Sequence, residues 1–245
     1  MKQSRLACSL LYVAIPFFFA SCGGSGSEKK IATDSTTVDS TKTAATPKVT
    51  VITTPQDMMV VTHKVSNYAK WITSYDGNDS FRLASGIHSY VIGRGVQDSN
   101  IVLVAVKIDD LAKAKTFAKD PALKKAMQKG GVAGAPSITF VTMTFQDTAQ
   151  IGTDLRSRTT FTVMDWNAWQ KEFQEGDQER KDNGITVRAF GHDAGDDKKV
   201  VLVTALVDTA KAYAYWKSDM LKRRRAASGV VGEPERFVYR VVKRY

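Results

Sequence analysis

Residues 59 to 75 contain two hydrophobic patterns in succession. Met59 to Val65 is a short, largely β-branched segment whose alternate side chains share one face, which is typical of a strand with a buried side. Asn67 follows as a helix-capping residue. Apolar residues then recur at helical spacing: Tyr68, Trp71, Ile72 and Tyr75. The pattern predicts a strand followed by a helix that packs an aromatic stripe against a sheet.

A β-hairpin is predicted next. Gly86 can take the positive φ that ends a helix. Ile87 to Ile92 and Ile101 to Ile108 are apolar strand segments, and the turn-forming residues 98–100 lie between them. These two strands are therefore expected to pair.

A second helix and a last strand complete the unit. The helix begins after Asp110, and we expect it in two pieces because proline, here Pro121, is tolerated only in the opening turn of a helix. A Gly-Val-x-Gly-x-Pro loop, residues 131–136, then ends the helix and turns the chain into a strand from Ser137 to Phe145. The order of elements is βαββαβ.

The same unit is written twice in the chain. Residues 59–145 align without a gap on residues 157–243 at about twenty identities, where about five are expected by chance. Identical pairs include Trp71 and Trp169, Asp79 and Asp177, Arg82 and Arg180, Gly86-Ile87 and Gly184-Ile185, and the loops 131–136 and 229–234. The second copy is predicted to have strands at Ser157 to Val163, Ile185 to Phe190, Val200 to Val207 and Arg236 to Lys243, with helices after Asp165 and Asp208.

The pattern predicts an α+β fold. A βαββαβ unit is a ferredoxin-like motif, in which both helices cover one face of a four-stranded antiparallel sheet. The other face still carries apolar residues and needs a second sheet. Two tandem repeats, 58–146 and 147–245, supply that sheet at high effective concentration. We therefore expect a monomeric pseudo-dimer with its two sheets face to face.

Several short motifs resemble a known superfamily. They are Val65, Tyr68 and Trp71, their echo in Val163, Trp166 and Trp169, the Gly-Ile pairs and the two Gly-Val-x-Gly-x-Pro loops. Together they resemble the dimeric α+β barrel superfamily, and within it the antibiotic biosynthesis monooxygenase-like branch, over residues 58–243. The resemblance implies an intramolecular dimeric α+β barrel with a small apolar pocket in each repeat, between helices and sheet. It implies no single activity, because the superfamily includes oxygenases, isomerases and haem proteins.

Aromatic residues are the candidates for pocket walls. The candidate ligand-pocket residues are Trp71, Tyr75, Tyr90, Trp169 and Phe173. Both tryptophans occur at equivalent positions of the two repeats. An aromatic residue one helical turn from Tyr68 or Trp166 is also an ordinary core residue, so both interpretations stay open.

A candidate catalytic set occurs in the first repeat only. The resemblance implies that cofactor-independent monooxygenases use Trp, Asn and His around an easily oxidised aromatic substrate. Repeat 1 offers four such residues that are expected to lie near one another: His63, Asn67, Trp71 and His88. Repeat 2 has Phe161, Asp165, Trp169 and Thr186 at these positions. The alternative is structural: Asn67 as a helix cap and the histidines as neutral buried groups.

No cofactor is expected. The chain has three histidines, none on a predicted helix and no two at ligand spacing, which argues against a metal site. The haem-binding members of the superfamily carry an axial histidine on a helix, so haem is only a lesser alternative.

Two charged motifs allow more than one interpretation. Asp79 with Arg82, and Asp177 with Arg180, are either surface ion pairs or links that tie helices and form a charged pocket edge. The run 222–225, Lys-Arg-Arg-Arg, is either a solvated helix face or a surface for anionic lipid headgroups.

The N-terminus resembles that of a bacterial lipoprotein. Lys2 and Arg5 precede an apolar stretch, Leu6 to Ala20, of about fifteen residues, which is shorter than a membrane-spanning helix and typical of a signal peptide. Residues 1–21 would be removed and Cys22 lipidated. Residues 22–57 are rich in Ser and Thr and predict a flexible tether. We therefore expect a lipid-anchored protein of the bacterial cell envelope, on the periplasmic side or the outer-membrane surface.

The charge and the absence of a complete catalytic set limit the functional hypotheses. The formal net charge of +10 favours anionic partners, but an exported chain would rarely meet nucleic acid. Our leading hypothesis is a module that binds a small apolar or aromatic ligand between helices and sheet. The alternatives are a cofactor-independent monooxygenase of an oxidisable aromatic substrate and a non-catalytic envelope scaffold with a basic surface.

Overall fold

The structure is a computed structural model that describes residues 49–245. The predicted signal peptide, Cys22 and most of the predicted tether lie outside these residues. Within 49–245, no helix is long and apolar enough to cross a membrane.

The regular structure begins before the predicted tether ends. Strand β1 (Val51–Ile52) pairs with the end of β5, where Val51 lies opposite Asp147 and Ile52 opposite Gln146. Strand β2 also starts early, at Gln56. The prediction of a tether through residue 57 is therefore wrong at its C-terminal end, because the β-branched residues Val51 and Ile52 pair with β5.

Each repeat has the predicted βαββαβ order, with every helical stretch split in two. Repeat 1 contains β2 (Gln56–Val65), α1 (Tyr68–Gly77), α2 (Asp79–Leu83), β3 (Ile87–Gly95), β4 (Ile101–Ile108), α3 (Leu111–Phe117), α4 (Pro121–Gly130) and β5 (Val132–Asp147). Repeat 2 contains β6 (Leu155–Val163), α5 (Trp166–Glu175), α6 (Asp177–Asp182), β7 (Ile185–Asp193), β8 (Asp196–Leu206), α7 (Thr209–Trp216), α8 (Asp219–Ala227) and β9 (Val230–Arg244).

The break at Pro121 is confirmed, whereas the breaks in the first helical stretch of each repeat are not predicted. In repeat 1 the side-chain amide of Asn78 donates to the carbonyl of Ser74 at 2.7 Å, and the chain turns there. Such local side-chain bonds compete with the helical ladder.

The Gly-Val-x-Gly-x-Pro segment differs from its prediction. Gly131 ends α4 with a φ of 85°, as expected, but the rest of the segment belongs to β5. Gly134, with a φ of 74°, lies in an irregularity of the β2–β5 pairing, where Thr62 pairs with Ser137 and Lys64 with Ala133. The predicted loop is therefore a bulged strand, in which glycine takes the positive φ.

The eight long strands form a closed antiparallel barrel. The order is β5-β2-β4-β3 in repeat 1, followed by β9-β6-β8-β7 in repeat 2, and β5 also pairs with β7. Two seams therefore join the repeats: β3 with β9 and β5 with β7. The dimeric α+β barrel is confirmed, and the sheets are bonded edge to edge as well as facing each other. Closure leaves none of these eight strands with a free edge.

The alternation of side chains separates two apolar cores. On β2, Met59 and Val61 face the outer helices, whereas Met58 and Val60 face the barrel interior. The helix side of repeat 2 has its own clusters, around Trp169 and around Leu206. Pockets can therefore form outside the barrel in each repeat or inside it.

Candidate functional site

The first candidate site is a small cavity under the helices of repeat 1, which we call the repeat-1 pocket. Its volume is about 70 Å³. The sheet contributes His63 and Val104, and the helices contribute Trp71, Tyr75 and Met127. Almost all of the wall is apolar.

His63 differs from the other polar residues of this wall in that neither of its buried polar atoms has a partner among the described residues, whereas Arg82 lacks one only at Nε. It lies on the helix-facing side of β2, is 6 % exposed, and its ring centroid is 5.3 Å from that of Trp71. Neither ring nitrogen has a hydrogen-bond partner among the described residues. Burial lowers the pKa of His63 from 6.5 to about 4. The imidazole is therefore neutral at pH 7, with one donor and one acceptor free.

The aromatic side of the pocket is held rigidly. Trp71 stacks on Tyr75 at 5.2 Å, and the Tyr75 hydroxyl is 2.9 Å from that of Ser89. The guanidinium of Arg82 lies 3.7 Å from the centre of the Tyr75 ring. Arg82 also donates to the Tyr75 carbonyl at 2.6 Å and to Asp79 at 2.9 Å. This buried arginine therefore ties α2 to α1, which confirms the helix-linking interpretation of the Asp79–Arg82 pair.

The structure brings together only two of the four candidate catalytic residues, His63 and Trp71. Asn67 caps α1, with its side-chain oxygen accepting from Lys70 N at 2.9 Å. The expected proximity of His88 is wrong: its ring is exposed and lies 2.9 Å from a carboxylate oxygen of Asp109. β4 separates β2 from β3, and His88 pairs with Lys107 whereas His63 pairs with Val102.

The prediction that Tyr90 lines a pocket between helices and sheet is also wrong. Ile87 of the same strand packs on the helix side, so alternation places Tyr90 in the barrel interior, where it lines the cavity described below. Trp71 and Tyr75 line the repeat-1 pocket, and Trp169 and Phe173 line its counterpart in repeat 2.

The repeat-2 pocket, of about 90 Å³, has the same stack with different polar groups. Trp169 stacks on Phe173 at 4.8 Å, and Arg180 lies 3.8 Å from the Phe173 ring centre. Phe161 occupies the position of His63, so this pocket has no equivalent imidazole. Burial lowers the pKa of Arg236, another wall residue, to about 10.

The basic run on α8 divides between the pocket and the solvent. Lys222 and Arg223 are exposed, whereas Arg224 and Arg225 are half-buried and line the repeat-2 pocket. Arg224 Nε lies 3.1 Å from a carboxylate oxygen of Glu179. The interpretation of the run as a solvated helix face is therefore wrong for Arg224 and Arg225.

A much larger cavity, about 540 Å³, lies inside the barrel, and we call it the barrel cavity. Apolar residues of both sheets line it, together with four arginines: Arg156, Arg158, Arg188 and Arg244. This site is not among the sequence predictions, because apolar residues on the facing sides of the two sheets indicate a packed layer. The available signal was the presence of arginines at inward positions of β6.

These features define a class of protein: a single-chain barrel of two ferredoxin-like repeats with helix–sheet pockets outside. No protein-family model matches the chain, and no curated protein matches it.

Solved structures share this fold. A proposed monooxygenase from Fusobacterium nucleatum is 14 % identical, with a TM-score of 0.52 and coverage of 77 % of this chain and 93 % of its own. An anthrone oxidase-like protein is 15 % identical, with a TM-score of 0.53 and coverage of 79 % and 94 %. A proposed chlorite dismutase is 14 % identical, with a TM-score of 0.52 and coverage of 78 % and 96 %. At these identities the likeness shows the fold alone.

Haem does not fit the pocket beside the unpartnered histidine. The repeat-1 pocket, at about 70 Å³, is far smaller than a porphyrin. The larger barrel cavity has no histidine or cysteine in its described wall. Residues 49–245 also contain no cluster of three metal-ligating side chains.

Proposed function

We propose that the protein binds a small apolar molecule with one aromatic ring and a hydroxyl group in the repeat-1 pocket, with His63 as its hydrogen-bond partner. The buried, unpartnered imidazole carries this proposal. A buried polar group without a partner costs about 1–3 kcal/mol. Repeat 2 packs with Phe161 at the same place, so the fold itself does not require the histidine.

The size of the pocket limits the ligand. A dry apolar cavity of about 150 Å³ is known to accept benzene, roughly twice the volume of the repeat-1 pocket, about 70 Å³. One ring can enter if Met127, a flexible unbranched side chain of the wall, changes its rotamer. A fused three-ring system would require the helices to move.

The charge state of His63 suits a phenol. A neutral imidazole accepts a hydrogen bond at one nitrogen and donates one at the other. A phenolic hydroxyl can satisfy either nitrogen, while its ring packs against Trp71. Toluene has nearly the same shape but leaves both nitrogens unpaired.

A comparison of phenol with toluene tests the proposal. Titration calorimetry on the full chain should show that phenol binds more tightly. In H63F, which copies repeat 2, the phenol-to-toluene affinity ratio should fall about 2- to 10-fold, the value of one net hydrogen bond. F161L alters the repeat-2 pocket as a matched control and should leave the ratio unchanged. An unchanged ratio in H63F, or no binding of phenol, would contradict the proposal.

A cofactor-independent oxygenase is the second candidate. It is favoured by a neutral imidazole beside Trp71, and by the fold shared with a proposed monooxygenase and an anthrone oxidase-like protein. With hydroquinone, dioxygen would be the oxidant: one oxygen atom enters the ring to give hydroxybenzoquinone, and the other leaves as water with two substrate hydrogens. His63 would accept the hydroxyl proton.

Oxygen uptake distinguishes the two candidates. Uptake above the protein-free rate that is lost in H63F and W71F supports an oxygenase. Phenol binding without uptake supports the binding module alone.

We further propose that the protein works at the bacterial cell envelope, anchored through Cys22. The support is the N-terminal pattern of Lys2, Arg5, the apolar stretch and Cys22. Mass spectrometry of the chain from membranes should show a lipidated N-terminal Cys22, and C22S should release the protein from the membrane fraction. An unmodified chain with an intact N-terminus would contradict the anchor.

A further inference from the structure

The barrel cavity can hold a larger ligand than the repeat-1 pocket. Its volume of about 540 Å³ falls within the range of about 300–1,000 Å³ that is usual for small-molecule sites. Its apolar part is formed by both sheets: Met58, Val60 and Leu103 from repeat 1, and Val201, Val203 and Val241 from repeat 2.

The polar end of the cavity is cationic. Four arginines and two aspartates, Asp147 and Asp154, line it, which leaves a formal charge of +2. Among the described residues, the only ion pair of a cavity arginine joins Arg188 to Asp147 at 2.8 Å. In the described part of the chain, no carboxylate lies within ion-pair distance of the other three arginines.

Two of these arginines form no ion pair among the described residues. Arg156 is 4 % exposed and donates there to backbone carbonyls, those of Thr153 at 2.6 Å and Leu155 at 3.0 Å. Arg158 is half-buried and donates to the Thr139 hydroxyl at 3.3 Å, while its Nε has no partner in the same part of the chain. Guanidinium groups that are removed from water without a paired carboxylate are costly, so a bound anion would offset this penalty.

Tyr239 adds a hydroxyl to the cavity wall that carries the arginines. Burial raises the pKa of the Tyr239 hydroxyl to about 12. Three charges nearby oppose this rise: those of Arg156, Arg158 and Arg244. Tyr239 also lines the cavity, so its hydroxyl can donate to the same anion as the guanidinium groups.

The duplication shows that the fold does not need these arginines. The equivalent residues of repeat 1 are uncharged: Met58 for Arg156, Val60 for Arg158, Tyr90 for Arg188 and Gln146 for Arg244. The same inward positions of β2 and β6 are therefore apolar in one repeat and cationic in the other. At these positions the residues of repeat 1 suit a hydrocarbon, whereas those of repeat 2 suit an anion.

We infer that the barrel cavity binds an organic anion with a single carboxylate or phosphate head and an apolar body. The head lies against Arg156 and Arg158, whose planar guanidinium groups match the oxygens of either head. The body extends between Met58 and Val201. This site is separate from the repeat-1 pocket and does not depend on the function proposed for it.

Titration calorimetry on the full chain with decanoate, decyl phosphate and decanol tests the inference. At least one of the two anions should bind in a 1:1 ratio and about 10- to 100-fold more tightly than decanol, the effect of a charge-assisted hydrogen bond. The tighter anion identifies the head as carboxylate or phosphate. If neither anion binds, or if decanol binds equally well, the inference is wrong.

Matched variants locate the site. R156M/R158V inserts the residues of repeat 1 and should weaken the tighter anion about 10- to 100-fold, with little effect on decanol. K222M/R223V removes the same charge from the exposed face of α8 and should bind like the wild type. If the cavity variant does not fold, R158V alone replaces it, because Arg158 is only half-buried. Equal binding by the cavity and surface variants would overturn the inference.

Discussion

Replacement of His63 by phenylalanine should make the protein more stable and less sensitive to acid. The change inserts the residue that repeat 2 carries at position 161, where an aromatic ring packs 5.6 Å from Trp169. It removes an imidazole that is 6 % exposed and has no hydrogen-bond partner among the described residues. At pH 7.5 the gain in the free energy of unfolding should be about 1–3 kcal/mol, the cost of an unsatisfied buried polar group.

The gain should increase as the pH falls. Burial lowers the pKa of His63 from 6.5 to about 4 in the folded protein. Between these values the unfolded chain binds a proton that the folded chain does not, so the wild type loses stability with falling pH. The loss is about 1.4 kcal/mol per pH unit and about 3 kcal/mol by pH 4. H63F lacks the imidazole, so its free energy of unfolding does not decrease for this reason.

Urea unfolding followed by tryptophan fluorescence, at several values between pH 4 and 8, measures the effect. Groups that titrate in both proteins contribute equally to their free energies of unfolding, so these contributions drop out of the difference between H63F and the wild type. F161L, which alters the equivalent position of repeat 2 and removes no titratable group, is the matched control and should show no pH-dependent difference from the wild type. A gap between H63F and the wild type that is the same at pH 4.5 and pH 7.5 would refute the assignment of a neutral, buried His63.

Two further predictions concern the helix link and the barrel seam. R82M should lower the free energy of unfolding by about 1–3 kcal/mol, because the buried guanidinium bonds the Tyr75 carbonyl; R180M should cost less, since its ion pair is 3.7 Å long. Chemical denaturation measures both, and equal losses would contradict this ranking. G191A should cost about 2–4 kcal/mol, because a Cβ would overlap the backbone of Thr142 across the β5–β7 seam. G195A, in an open turn, should change the melting temperature little, and an equally small effect of G191A would show that the seam can relax.

The sequence predicts elements well where one period dominates. The stripe containing Tyr68, Trp71 and Tyr75, the hairpin of β3 and β4, and the duplication follow from local patterns and their repetition. The bulge at Gly134 is harder to predict, because Gly and Pro favour a loop and an irregular strand alike. The pairing of β3 with β9 depends on the relative placement of two distant segments, which no local pattern encodes.

The residues of the candidate site also divide into those that a local pattern predicts and those whose placement depends on distant segments. Trp71 and Tyr75 are predicted because helical spacing places them on one face. His88 is misplaced because its distance from His63 depends on strand order and register rather than on spacing in the sequence. The isolation of the His63 ring, and the presence of Arg156, Arg158 and Tyr239 in the wall of one cavity, become visible only when distant strands are assembled.

Joining the two repeats in one chain frees the barrel interior from symmetry. A homodimer of a single repeat presents every inward residue twice, so arginines like those at 156, 158, 188 and 244 would be doubled and would repel one another across one cavity. In the tandem chain each half can take its own residues. The interior can therefore be cationic at positions of repeat 2 whose equivalents in repeat 1 are uncharged, a difference across the barrel that two identical subunits related by a twofold axis cannot produce.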